Sequence, residues 1–383
     1  MSYPEGSDYR RAARRLLAVA LVAPVAAVST VAAFAQGLPY DGGGQIGGDA
    51  YEYAAAPYAI TYGDAVYEYA TGKDGKGYYA TYDGEEWSSW QGWDDQTADY
   101  KWKPTAVEYE EKQYVVYGGE DGQYYYNGYD GESWDGWAAI DSEYTFTQAP
   151  YANAYGDAYY VYGAADDGNL YYTSYDGEGW GEWAAANDDY AAGEYPAYSV
   201  EWGDYNNVFW AGADGKVYWN RYDGTAWTGA KALPYAGDEE YEYGYTPYAV
   251  GYEDQLYAYA VATDGTPYYN VFDGEGWSGW EGYEYEAPAG YEYQPSAYVY
   301  DGKQHLVYTG EDGHGYYASY DGEWSEWQDL GDNYAYDPYQ YEYGDGYYLT
   351  YTGADGYVYY KEYASGDGEA GGYEPTPTPE SGY

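Results

Sequence analysis

Tryptophan recurs in this sequence where a ring could do chemistry. Six tryptophans follow a Tyr/Phe-Asp-Gly tripeptide: Trp87, Trp134, Trp180, Trp227, Trp277 and Trp324. Their aspartates are Asp83, Asp130, Asp176, Asp223, Asp273 and Asp321. Three residues further on, five units carry a second tryptophan: Trp90, Trp137, Trp183, Trp280 and Trp327. An indole beside a carboxylate and a phenol can stack on the apolar face of a sugar while its neighbours bond the hydroxyls. The first series is read as packing between structural units, because tryptophan dominates burial. The second series, nearer the end of its strand, is the better candidate for ligand contact, and several weak equivalent sites would gain by avidity.

Catalytic residues are scarce by comparison. Only His305 and His314 exist, both in one unit, and His314 adjoins Gly313 in a turn, so a Ser-His-Asp arrangement is not expected. A glycosidase needs two carboxylates about 5 to 9.5 Å apart. With 67 acids in the chain such pairs arise by chance and carry little information. Catalysis needs one unlike constellation, whereas here the same residues repeat, so the chain is read as a non-enzyme, with an extracellular glycoside hydrolase as the third alternative. Earlier Asp-Gly turns begin at Asp74, Asp121, Asp167, Asp214, Asp264, Asp312 and Asp355. Each offers two or three ligands where calcium prefers six to eight, and a tight hairpin itself demands Asp-Gly. No cofactor and no structural metal is expected; weak calcium shared at a blade junction is the alternative.

The positioning elements follow from the period. The first tryptophan series is spaced by 47, 46, 47, 50 and 47 residues, and the early turns and the prolines Pro57, Pro104, Pro150, Pro196, Pro247, Pro295 and Pro338 keep that register. In the third unit PYANAYG and DAYYVYGA are followed by ADDG, NLYYTSY, DGEG and WGEWAAA. Aromatic and β-branched runs of five to eight residues broken by Asp-Gly read as antiparallel strands in hairpins. Four strands in about 47 residues is the size of one β-propeller blade. The expected fold is all-β, a seven-bladed β-propeller of four-stranded antiparallel blades. The seventh unit lacks Trp-x-x-Trp, so residues near 42–49 are expected to complete it and close the ring.

Composition sets the rest. Residues 1–35 carry Arg10, Arg11, Arg14 and Arg15, then LLAVALVAPVAAVSTVAAFA, and read as a secretory signal peptide ending at Ala33-Phe34-Ala35, with an uncleaved anchor as the alternative. The propeller spans 36–363, and 364–383 is a Pro/Thr-containing tail expected to be flexible. The product is expected to be secreted, extracellular or at the cell surface, without membrane insertion once the leader is removed. Loss of the leader removes four arginines and two acids, taking the formal net charge from −53 to −55. Such a surface repels phosphate backbones, which excludes nucleic acid as a partner. There is no cysteine, so disulfides and thiolate sites are excluded. The 69 tyrosines and 16 tryptophans supply the core that scarce leucine, isoleucine and phenylalanine cannot.

The run Tyr-Asp-Gly-x-x-Trp-x-x-Trp, with a following Gly-containing turn and a blade-opening proline, resembles the repeat of seven-bladed sugar-binding propeller lectins, the fucose-binding and tectonin-like group. The resemblance covers about residues 42–363, departs at Ala230 in the fourth unit, and replaces most aliphatic positions by tyrosine. It implies multivalent binding of a glycan or cell-surface polysaccharide through inter-blade pockets. A sialidase is excluded: Ser174-Tyr175-Asp176-Gly177-Glu178-Gly179-Trp180 is one residue short of the Asp-box, and beyond the leader only Arg221 is available to clamp a carboxylate. The alternative is a tyrosine-rich matrix protein that self-associates through strings such as Glu239-Glu240-Tyr241-Glu242-Tyr243 and Tyr283-Glu284-Tyr285-Glu286, read as facing water.

Overall fold

The computed structural model describes residues 40–48, 50–186, 191–236 and 241–363. The signal peptide expected at 1–35 and the tail at 364–383 lie outside the described residues. Within them the chain forms seven four-stranded antiparallel sheets and no helix. Blade 1 comprises Tyr58–Tyr62, Ala65–Thr71, Gly77–Tyr82 and Gln91–Gly92, in that spatial order. Blades 2 to 6 open at Thr105–Tyr109, Tyr151–Tyr155, Tyr198–Trp202, Tyr248–Tyr252 and Tyr291–Tyr300. Blade 7 is Tyr339–Tyr343, Gly346–Thr352 and Val358–Tyr363, and its fourth strand is Tyr40–Gln45 from the other end of the chain.

Closure came earlier in the sequence than expected, and its first residue explains why the seventh tryptophan is missing. Tyr40 pairs with Tyr363 as Trp87 pairs with Tyr82, and its ring lies 5.9 Å from Tyr317 of blade 6. A tyrosine therefore fills the tryptophan position of blade 7. The Trp-x-x-Trp segments also need correction: they precede the fourth strands instead of forming them. Each first-series tryptophan makes a single bridge to the last residue of the third strand, and the strand proper starts after the second tryptophan, as at Gln91–Gly92.

Six of the seven Asp-Gly turns share one construction. In the first turn Asp74 Oδ1 accepts the Lys76 N–H at 3.1 Å and Oδ2 accepts the Tyr78 hydroxyl at 2.7 Å. The same pair of bonds recurs at Asp121, Asp167, Asp214, Asp312 and Asp355. The glycine follows at positive φ, 77° at Gly75, where any β-carbon would be strained.

Two circles of hydrogen bonds join the blades. The N–H of a connecting residue donates to the carbonyl of the Asp-Gly turn in the preceding blade at all seven junctions, from Tyr100 to Gly75 at 2.7 Å round to Tyr53 to Gly356 at 2.7 Å. On the opposite face the tyrosine ending the first strand donates to a hairpin carbonyl of the next blade in six of the seven blades: Tyr62 to Glu111, Tyr109 to Asp157, Tyr155 to Asp204, Tyr252 to Gly302, Tyr300 to Asp345 and Tyr343 to Asp64, at 2.5 to 2.9 Å. Much of the tyrosine content thus has a structural use: the ring fills the inter-blade space and the hydroxyl staples the next blade. At the axis Tyr58, Tyr151, Tyr198, Tyr248 and Tyr339 converge, and the remaining space is about 30 Å³, room for about one water molecule. The axis therefore has no room for a sugar ring.

Candidate functional site

Period-two alternation turns the third residue of each third strand towards the next blade, where it meets a first-series tryptophan. Trp134 lies 5.5 Å from Tyr79, Trp180 5.1 Å from Tyr126, Trp227 5.2 Å from Tyr172, Trp277 5.3 Å from Trp219, Trp324 5.6 Å from Tyr269 and Trp87 5.8 Å from Tyr360. Five of these indoles stay half-exposed and Trp324 is buried. The preceding aspartate holds its turn: Asp83 Oδ1 accepts the N–H groups of Glu85 and Glu86, both at 2.9 Å, and Asp130, Asp176, Asp223 and Asp273 do the same. Those donors lower the aspartate pKa values, so the exposed carboxylates are ionised and can accept hydroxyl donors. Asp321 differs because its turn is one residue shorter; its carboxylate instead pairs with Lys303 at 3.1 Å.

The second series lies deeper than the first. Trp90, Trp137 and Trp280 are buried, with 5 %, 8 % and 2 % of their surface exposed, while Trp183 and Trp327 are half-buried. Trp90 Nε1 donates to the Ile46 carbonyl at 2.8 Å, Trp183 to Asp141 at 3.0 Å and Trp327 to Tyr285 at 3.3 Å, each reaching the preceding blade. Proximity to the strand end thus placed most of this series against a neighbouring blade. At the junction of blades 2 and 3 lies an open groove of about 920 Å³, and there Trp180 and Trp183 share a wall with Gln123, Tyr144, Asp141 and Glu182. Both tryptophan series line this groove.

The remaining candidates are accounted for by local structure. His305 is buried, with Nδ1 2.8 Å from the Tyr317 hydroxyl and Nε2 3.1 Å from the Tyr300 carbonyl; burial pulls its pKa down to about 4. His314 faces Asp329 at 3.0 Å on the surface. In six of the seven early turns both aspartate oxygens are engaged within the turn, and among the described residues no group of three His, Asp or Glu side chains is arranged to hold a metal. The acidic tyrosine strings face water with their glutamates, Glu242, Glu284 and Glu286 all being exposed, while most of their tyrosines turn inward. Tyr243 is 3 % exposed and Tyr283 packs on Trp324 and Trp327, because the connections cross the inter-blade clefts; only Tyr285 stands out, at 37 %. Glu239 and Glu240 lie outside the described residues.

Three features were missed in the sequence: Tyr40, the buried Glu68 of blade 1, and the surroundings of Arg221. A column-by-column alignment of the seven units exposes the latter two, since each is the odd residue in its column.

No protein-family model and no curated protein matches this chain. Solved structures do. The BP39L lectin from Burkholderia pseudomallei superposes with a TM-score of 0.66 at 14 % identity, covering 80 % of this chain and 95 % of that one. An arginine-substituted mutant of AofleA from Arthrobotrys oligospora gives 0.51 at 13 %, covering 76 % and 90 %. The fold is that of a β-propeller. BBS1N, in complex with ARL6DN, is also similar, with a TM-score of 0.56 and 11 % identity over 85 % of this chain and 96 % of its own. At these identities the likeness establishes architecture, and function has to be argued from the grooves.

Proposed function

We propose that this propeller is an exported carbohydrate-binding module that holds several glycan units in its inter-blade grooves. The observation that carries the reading is the groove between blades 2 and 3, where two partly exposed indoles stand beside ionisable carboxylates, an amide and a phenol in one open surface. Indoles supply the flat apolar face and the acids and amide accept or donate to hydroxyls, the combination a pyranose requires. Recurrence of Trp134, Trp180, Trp227 and Trp277 at equivalent junctions supports more than one site per chain, so weak affinities add through avidity. The lectin BP39L, which has the same architecture, adds weight to this choice of ligand class. Holding suits the molecule better than cutting, because its two histidines are engaged structurally and its grooves repeat one pattern.

A glycan array run with and without calcium tests the reading. Binding in both conditions is expected, with Trp183→Ala weakening the signal about tenfold or more, as loss of a stacking platform does in comparable sites. An array with no hits in either condition contradicts it.

A further inference from the structure

Beyond the leader the chain has a single arginine, although acids abound. Arg221 stands on the third strand of blade 4, half-exposed, in a column otherwise filled by Thr81, Gly128, Ser174, Val271, Ser319 and Glu362. Among the described residues no carboxylate lies within ion-pairing distance of it. Its guanidinium is held by aromatic faces instead, 4.5 Å from the Tyr205 ring, 4.7 Å from Trp219 and 5.5 Å from Phe272. The Nε is shut off from solvent without an acceptor.

Three departures from the tyrosine pattern meet at this junction. Trp202 replaces the tyrosine that ends the first strand of the other six blades, Trp219 replaces the tyrosine at the centre of the third strand, and Phe272 replaces the one that ends it. Each exchange removes a hydroxyl and leaves a drier wall: Phe272 lies 5.6 Å from Trp202 and 5.3 Å from Trp277. A guanidinium in such a setting gives up little hydration and binds a carboxylate in a planar, two-bonded manner. Four coincident changes at one junction are difficult to ascribe to packing, since the other junctions pack with tyrosine.

We propose that the junction of blades 4 and 5 is a differentiated subsite for a carboxylate-bearing sugar, such as a hexuronic acid residue, with the carboxylate on the terminal nitrogens of Arg221 and the ring against the half-exposed indoles Trp202 and Trp277. This rests on the reading that inter-blade grooves take sugars. The net negative charge of the molecule does not forbid it, because at physiological ionic strength fields are screened over about 8 Å.

Titration of oligogalacturonate, the matching neutral galacto-oligosaccharide and acetate, followed by saturation-transfer NMR, tests the proposal. The acidic oligomer is expected to bind at least about tenfold more tightly than the neutral one, the scale of a charge-assisted pair, and acetate alone to bind far more weakly. Arg221→Ser, the residue blades 3 and 6 carry there, should abolish the preference. Arg221→Lys, which keeps the charge and loses the fork, should reduce it several-fold, and serves if the serine variant does not fold. An unchanged preference in either folded variant, equal binding of both oligomers, or acetate binding as tightly as the oligomer overturns the proposal. Binding of the neutral oligomer without acidic preference would leave the broader lectin reading standing; binding of neither oligomer would overturn this subsite, and only an empty glycan array would remove the lectin reading as well.

Discussion

Two junctions of this ring, between blades 1 and 2 and between blades 7 and 1, solve the same packing problem differently. At the first, the buried Tyr69 hydroxyl donates to Gln113 Oε1 at 2.9 Å. The pairing recurs between blades 3 and 4, where Asn206 donates to the Tyr162 hydroxyl at 2.8 Å, and between blades 5 and 6, where Tyr259 donates to Gln304 at 2.5 Å. Odd blades bring the tyrosine and even blades the amide, while Val116, Phe209 and Val307 stand at the tyrosine position of the even blades. Seven is odd, so the alternation cannot close. At the seam Thr350 takes the tyrosine position and Val66 the amide position. Beside them Glu68 is fully buried where the other blades have Val115, Val161, Val208, Ala258, Leu306 and Leu349.

The difference teaches that the paired junctions are specified by matched polar side chains and the seam by the exchanged strand. Burial pushes Glu68 up to about 8, and the nearby Thr350 hydroxyl and Lys103 charge offset this in part; the neighbouring Tyr341 phenol is raised first by its own burial and then by Glu68. Among the described residues Lys103 is paired with Asp337, so its charge is shared.

Deleting residues 40–45 should have the largest effect, because it opens the ring and exposes an edge of blade 7. A fall of at least about 10 °C in the thermal midpoint, or loss of soluble protein, is expected. Glu68→Leu comes next. A carboxyl with a raised folded pKa holds its proton better folded than unfolded, so stability is fully present below about pH 4.5 and is lost as pH rises through about 8. The variant should remove that slope and gain up to about 5 kcal/mol above pH 8, with the advantage vanishing below pH 4.5. Parallel urea titrations of both proteins across pH 4 to 9 check this, and parallel curves would contradict it. Tyr69→Phe should cost about 1 to 3 kcal/mol by leaving the buried Gln113 oxygen without its donor. Tyr62→Phe, at a staple near water, should cost only about 0.5 to 1 kcal/mol, and a larger loss would make the rim the main fastening.

The period, the blade count and a closing strand from the N-terminal side could be read from Asp-Gly turns and tryptophan spacing, because glycine at positive φ and large indoles occupy fixed places. The tyrosine staples could not: with 69 tyrosines, residue type no longer marks position. Tyr40 hid for the same reason, standing where the repeat leads one to seek tryptophan. Glu68 was one acid among 67, and only the register shows it facing a column of Val, Ala and Leu. The depth of Trp90, Trp137 and Trp280 depends on neighbouring-blade connections that irregular segments such as 93–104 do not announce.

Native mass spectrometry with an oligosaccharide recovered from the array addresses the central claim, that equivalent grooves on one closed ring share the work. A ladder of two or more bound oligosaccharides per chain, with steps of similar affinity, is the predicted result. Saturation at a single adduct would contradict it, by confining recognition to one groove.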